Sequence, residues 1–100
     1  DESQAEFAIA DYKKAFRTSA DSALVAEAIG AARDLELDME LHTQASTNES
    51  SLLSRVGVDC LCFGPGVREG NIHTPTEHVR LSDLEKAIDF YEAMMRRMCL

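Results

Sequence analysis

Val58-Asp59-Cys60-Leu61-Cys62-Phe63-Gly64-Pro65-Gly66 is a β-rich run that glycine and proline stop abruptly, and it reads as a strand feeding a tight turn. Glycine on either side of such a turn removes side-chain obstruction and tolerates positive φ, so the backbone can approach a ligand closely. A tight turn of any purpose uses the same residues. Downstream, residues 67–79 have little regular pattern and hold two of the three histidines, His73 and His78. Ser82-Asp83-Leu84-Glu85 then has the form of a capping box. Leu84, Ile88, Tyr91, Met95 and Met98 follow at helical spacing, which predicts a helix from Asp83 to about Met98 with that stripe buried on a sheet. Its methionines continue the stripe and read as core filler.

Upstream, Asp21 is placed to cap a helix from about Ser22 to Leu35, whose stripe is Leu24, Ala28, Ala32 and Leu35. Met39 to Thr43 alternates apolar and polar residues as a half-buried strand does, and residues 44–48 are polar enough for a loop. Thr47 or Asn48 offers a cap for a short helix from Glu49 to about Arg55, with Gly57 placed to end it. Glu6 to Ala10 reads as a short strand or frayed segment. Helices alternating with short strands predict an α/β fold in which helices cover a small sheet. Three strands make a small sheet, and the remaining ones are expected from chain preceding residue 1.

Composition narrows the function. The chain has 100 residues, enough for one domain, and 45% hydrophobic with 28% charged residues is the balance of a folded unit. Eighteen acids against ten bases give a net charge of −8, which repels nucleic-acid phosphates and anionic membrane surfaces. No apolar stretch approaches the roughly 20 residues of a membrane span, and the first residues lack the basic start of a signal peptide. Cys60, Cys62 and Cys99 have neither zinc-finger nor thioredoxin spacing. They read as buried, reduced thiols of a cytoplasmic protein. The absence of an initiator methionine fits a chain that begins inside a longer gene product, and equally a processed or cloned fragment.

Candidate chemistry is sparse. His73 lies in a loop where an imidazole can bind a divalent metal, but a zinc site needs three or four protein ligands, and a lone loop histidine is commonly just solvated. No HExxH helix, Gly-x-Ser-x-Gly elbow, phosphate-binding Walker loop or dinucleotide fingerprint is present.

Taken in order, Asn48-Glu49-Ser50, Phe63-Gly64-Pro65-Gly66, His73-Thr74-Pro75-Thr76-Glu77 and the closing helix resemble the C-terminal end of a family of dinuclear zinc hydrolases. That family includes acetylornithine deacetylase, succinyl-diaminopimelate desuccinylase, aminoacylase and carboxypeptidase. The resemblance covers residues 16–100. It implies the C-terminal part of a three-layer αβα catalytic domain, with residues 1–15 returning from an absent inserted dimerisation domain. It implies that His73 is a metal ligand, that Gly64, Pro65 and Gly66 border the substrate, and that Asn48 and Glu49 belong to a substrate-side turn. Asn48 stands where the family has Thr and Ser50 where it has Ala. Glu77 falls beside the ligand loop, with a supporting or packing role as open as a direct one.

By the same resemblance the parent protein hydrolyses an amide bond of an acylated amino acid or small peptide with metal-activated water. Its cofactor is zinc, two ions in the intact parent, with cobalt or manganese as alternatives. The other metal ligands and the general base have no counterpart here, so the 100-residue chain is expected to be inactive without the N-terminal remainder of the enzyme. A homodimer is implied for the parent. The competing reading is a non-catalytic small-molecule-binding or dimerising domain on the same fold.

Overall fold

In a computed structural model of the protein, residues 3–38, 40–67 and 69–100 are described. Three helices form, α1 (Ala23–Asp34), α2 (Ser50–Ser54) and α3 (Leu81–Cys99). Alanine supplies much of α1 and favours helix because it loses no side-chain entropy. The cap is Ser22 and not Asp21: its Oγ accepts from the Val25 N–H at 3.2 Å. At the other end Glu36 takes φ +55°, the Leu37 N–H donates to Ala32 O at 2.9 Å and the Glu36 N–H to Arg33 O at 3.1 Å. This is a Schellman cap with glutamate where glycine is usual.

The short helix α2 is stopped as its sequence predicts. Gly57 adopts φ +82°, and the Val58 N–H donates to Leu53 O at 3.3 Å. Asn48 Oδ1 accepts from the Ser50 N–H at 2.9 Å, so Asn48 takes the capping role and Glu49 makes no side-chain cap.

The capping box of α3 does not form. The helix begins at Leu81, Arg80 precedes it without a side-chain cap, and Ser82 lies inside the first turn. Asp83 is then in that turn, where its charge favours the positive end of the helix dipole.

The expected burial of the Leu84 stripe is overturned. Leu84 is 41% and Ile88 61% exposed, and Tyr91, Met95 and Met98 are exposed with them. The buried residues of α3 are Ala87 and Phe90, with Ala93 and Met94 packed at the edge of the core. Ala87, Phe90 and Met94 each precede a residue of the expected stripe, so the helix is turned by about 100° from that expectation. The physical reason is close approach: α1 offers Ala28, Ala31 and Ala32, and this small-residue face admits the aromatic ring of Phe90 between the helices. The larger side chains of α3 are left as a second, uncovered apolar face.

Across the same helix pair, Arg97 donates to Glu27 Oε2 at 2.9 Å and to Asp34 Oδ2 at 2.6 Å. A Cβ at Gly30 would stand 2.7 Å from the Arg97 guanidinium, so glycine clears the space in which that group lies. These hydrogen bonds, the one from Glu27 first, raise the Arg97 pKa above its ordinary value and keep it cationic.

Among the described residues no strand ladder forms, and the one β feature is an antiparallel bridge between Gly66 and Val79. Helices α1 and α3 therefore pack on each other and not on a sheet. Residues 58–63 carry the residue types of a strand but have no neighbouring strand. Thr18 partly substitutes for one: its Oγ1 donates to Cys60 O at 2.6 Å and accepts from Cys60 N at 3.1 Å. Of the strand expected at 39–43, Met39 lies outside the described residues and 40–43 are irregular. Residues 6–10 form no regular element and are exposed. All three cysteines are free, but only Cys60 is buried, since Cys62 and Cys99 lie at the surface. The Cα radius of gyration is 17.7 Å, against about 13 Å for a compact domain of this length.

Candidate functional site

Several ties gather the candidate residues. Asn48 Nδ2 donates to Cys62 Sγ at 2.9 Å, holding the start of α2 against the end of the extended run. One residue further, Tyr91 Oη donates to Phe63 O at 2.6 Å, and the Phe63 ring stacks on Phe90 with centroids 4.0 Å apart. Gly64-Pro65-Gly66 thus leaves an anchored point on α3. The Gly66–Val79 bridge then closes the base of the histidine loop. Inside it, buried Asn71 donates from Nδ2 to Val67 O and to His78 O, both at 2.9 Å, and accepts from the His78 N–H at 3.0 Å.

Gly64 and Gly66 do not adopt positive φ, contrary to the freedom their turn suggested, and a Cβ at either would meet nothing within 4 Å. The positive-φ glycines are Gly57 and Gly70. This chain's own packing therefore does not require glycine at 64 or 66.

His73 lies two residues beyond the Asn71 anchor, exposed, with φ +59°. Its backbone N–H donates to Glu77 Oε2 at 3.3 Å, so the Glu77 carboxylate supports the His73 main chain. The other histidine rings are engaged, His78 Nδ1 with Thr76 O at 2.8 Å and His42 Nε2 with Glu40 at 3.2 Å. Among the described residues nothing engages the His73 ring, which leaves its nitrogens available to a metal. An imidazole is a metal-ligand donor, and a zinc position would take this one only as one ligand among several supplied by other residues. Among the described residues no three His, Cys, Asp or Glu side chains converge as a metal site.

Asn48, Gly64, Pro65 and Gly66 line one open groove together with Asn71 and His78. Glu49 and His73 do not line it. Glu49 is exposed at the start of α2, and His73 is exposed in the turn that follows Asn71. Asn71 and Tyr91 are the contributors that the sequence reading passed over. Asn71 could have been found from its place after Gly70, because Asn side chains commonly close their own loops. Tyr91 was hidden by its position in an apolar stripe.

No helix of the described residues is long and apolar enough to cross a membrane. No solved structure matches the chain. It is 29% identical over 94 residues to a Pyrococcus horikoshii protein provisionally named a LysW-lysine/LysW-ornithine hydrolase, which covers 93% of this chain and 29% of that protein. It is 30% identical over 95 residues to the succinyl-diaminopimelate desuccinylase of Thioalkalivibrio sulfidiphilus, covering 88% of this chain and 25% of that enzyme. The chain therefore spans between a quarter and a third of the length of these curated relatives. The model of Peptidase family M20/M25/M40, a family of generally metal-dependent hydrolases that fits an α/β fold, matches residues 4–97. The chain belongs to that family.

Proposed function

We infer that this chain is the C-terminal part of a zinc-dependent amidohydrolase or peptidase, contributing His73 to a dinuclear centre and Gly64, Pro65 and Gly66 to the substrate wall. The observation that carries the reading is the family match over residues 4–97, on a chain in which the Gly-Pro-Gly turn and the His73 loop are joined by the Gly66–Val79 bridge. Zinc, when bound, polarises the scissile carbonyl and lowers the pKa of water. His73 holds its place in that centre through an imidazole that no other described residue engages. The open space over Gly64 and Gly66 lets a substrate approach the main chain, and Asn48 orients the adjoining turn through its contact with Cys62. Substrates of the class are acylated amino acids or small peptides, as the relatives' names suggest for those proteins.

The N-terminal remainder of the same polypeptide supplies the other ligands and the general base in this account. It also covers the apolar face of α3 and pairs with the extended run 58–63, completing a three-layer αβα domain. Residues 3–15, irregular and exposed except at half-buried Lys13, suit a segment returning from an inserted dimerisation domain of a homodimer. The free thiols suit a reducing cytoplasm.

The test is hydrolysis of a panel of N-acyl amino acids and dipeptides by the polypeptide of the complete reading frame, with and without a chelator. Chelator-sensitive, zinc-restored turnover is expected there and none in the 100-residue chain. Turnover indifferent to the chelator would overturn the reading.

A further inference from the structure

Asn71 is 5% exposed, yet it lies in a loop whose neighbours Ile72 and His73 are exposed. A carboxamide has two N–H donors and one carbonyl oxygen, and each has a partner here. The N–H groups reach Val67 O and His78 O, and Oδ1 receives the His78 N–H. Both ends of the loop are thereby fastened to one side chain, directly inside the Gly66–Val79 bridge. The main-chain carbonyl of Asn71 is engaged as well, accepting from Thr74 Oγ1 at 2.7 Å and from the Thr74 N–H at 3.3 Å. That pair closes a turn around Ile72 and His73.

His73 needs such restraint. A non-glycine residue at φ +59° sits in a sparsely populated, unfavourable conformation that persists only where its surroundings fix it. Left free, the residue relaxes to negative φ and swings its imidazole elsewhere. Resting on the reading of His73 as a metal ligand, we propose that Asn71 is the positioning residue of the His73 loop, holding the imidazole in the left-handed turn that presents it to one zinc ion. The role demands a carboxamide: aspartate has the same shape but would set a carboxylate oxygen against two carbonyl oxygens.

The experiment uses the complete polypeptide, loaded with zinc and titrated against a competing chelator, comparing wild type, Asn71→Asp and His73→Ala. Asn71→Asp is expected to weaken one of the two ions by about 10- to 100-fold, the range for losing a group that orients a metal ligand, and to leave the other unchanged. With that ion restored by excess zinc, kcat should stay depressed while KM moves little. Equal retention of both ions by a folded Asn71→Asp, or equal weakening of both, would overturn the proposal. Should Asn71→Asp not fold, Thr74→Val removes the hydroxyl that fixes the Asn71 carbonyl and should weaken the same ion by about three- to tenfold, the worth of one hydrogen bond. No change there overturns the proposal equally. His73→Ala separates the two failures: if it keeps both ions, the ligand assignment itself falls, whereas if it loses one and Asn71→Asp loses none, only the positioning role does.

Discussion

Truncating Phe90 to alanine should remove the centre of the helix pair. Its ring is 6% exposed, sits among Ala28, Ala31 and Ala32, and stacks on Phe63 at a centroid distance of 4.0 Å and 26° between planes. The alanines around it cannot reach into the vacated space, so the cavity term is kept and the cost should be about 3–5 kcal/mol. The stack with Phe63 accounts for about 0.5–1.5 kcal/mol of that. A domain is stable by only about 5–15 kcal/mol, so the loss is a large fraction of the whole. Urea unfolding of the complete polypeptide, followed by circular dichroism, reads the total. A double-mutant cycle with Phe63→Ala isolates the pair. The cycle also bears on the site, because Phe63 leads directly into Gly64 and its carbonyl is the one that Tyr91 holds. A total below about 1 kcal/mol, the ordinary effect of a mutation away from any core, would refute the packing described for α1 and α3. A coupling energy of zero would refute the stack alone.

The uncovered face of α3 gives a contrast: Ile88→Ala should shift the stability of the 100-residue chain by no more than about 0.5 kcal/mol. In the complete polypeptide the same change should cost about 2–5 kcal/mol, if the remainder of the domain buries that face. Glu36→Gly should stabilise by about 0.5–1 kcal/mol, measured as a higher urea midpoint, because glycine occupies the left-handed cap without a Cβ penalty. The raised pKa of Arg97 means that its contribution is present in full below its unfolded value and is lost only as pH rises through the higher folded one. The difference in urea midpoint between wild type and Arg97→Met should therefore be the same at pH 7 and pH 9.

Local chemistry was legible in the sequence where a residue acts on its own neighbours. Gly57 ends α2, Asn48 caps it, and the alanine-rich run 23–34 is helical, each for reasons contained within a few residues. Tertiary choices were not legible in the same way. The α3 stripe was read from the helical spacing of Leu84, Ile88, Tyr91, Met95 and Met98, whereas the helix buries Ala87 and Phe90 beside it because α1 offers an alanine face. Strand character in 58–63 was read from residue type, but a strand needs a neighbour to pair with, and among the described residues Thr18 alone approaches Cys60 in that manner. The candidate site was readable only in part for a similar reason. The Gly-Pro-Gly turn and His73 stand out as motifs, whereas Tyr91 acts through a hydrogen bond to Phe63, 28 residues away, that spacing does not announce, and Asn71 acts by closing its own loop.

The most direct test of the central claim is the zinc content of the complete polypeptide at equilibrium, compared between wild type and His73→Ala. The account predicts two ions in wild type and one in the variant, with the fold retained because His73 lies in an exposed loop. Two ions retained by His73→Ala would contradict it.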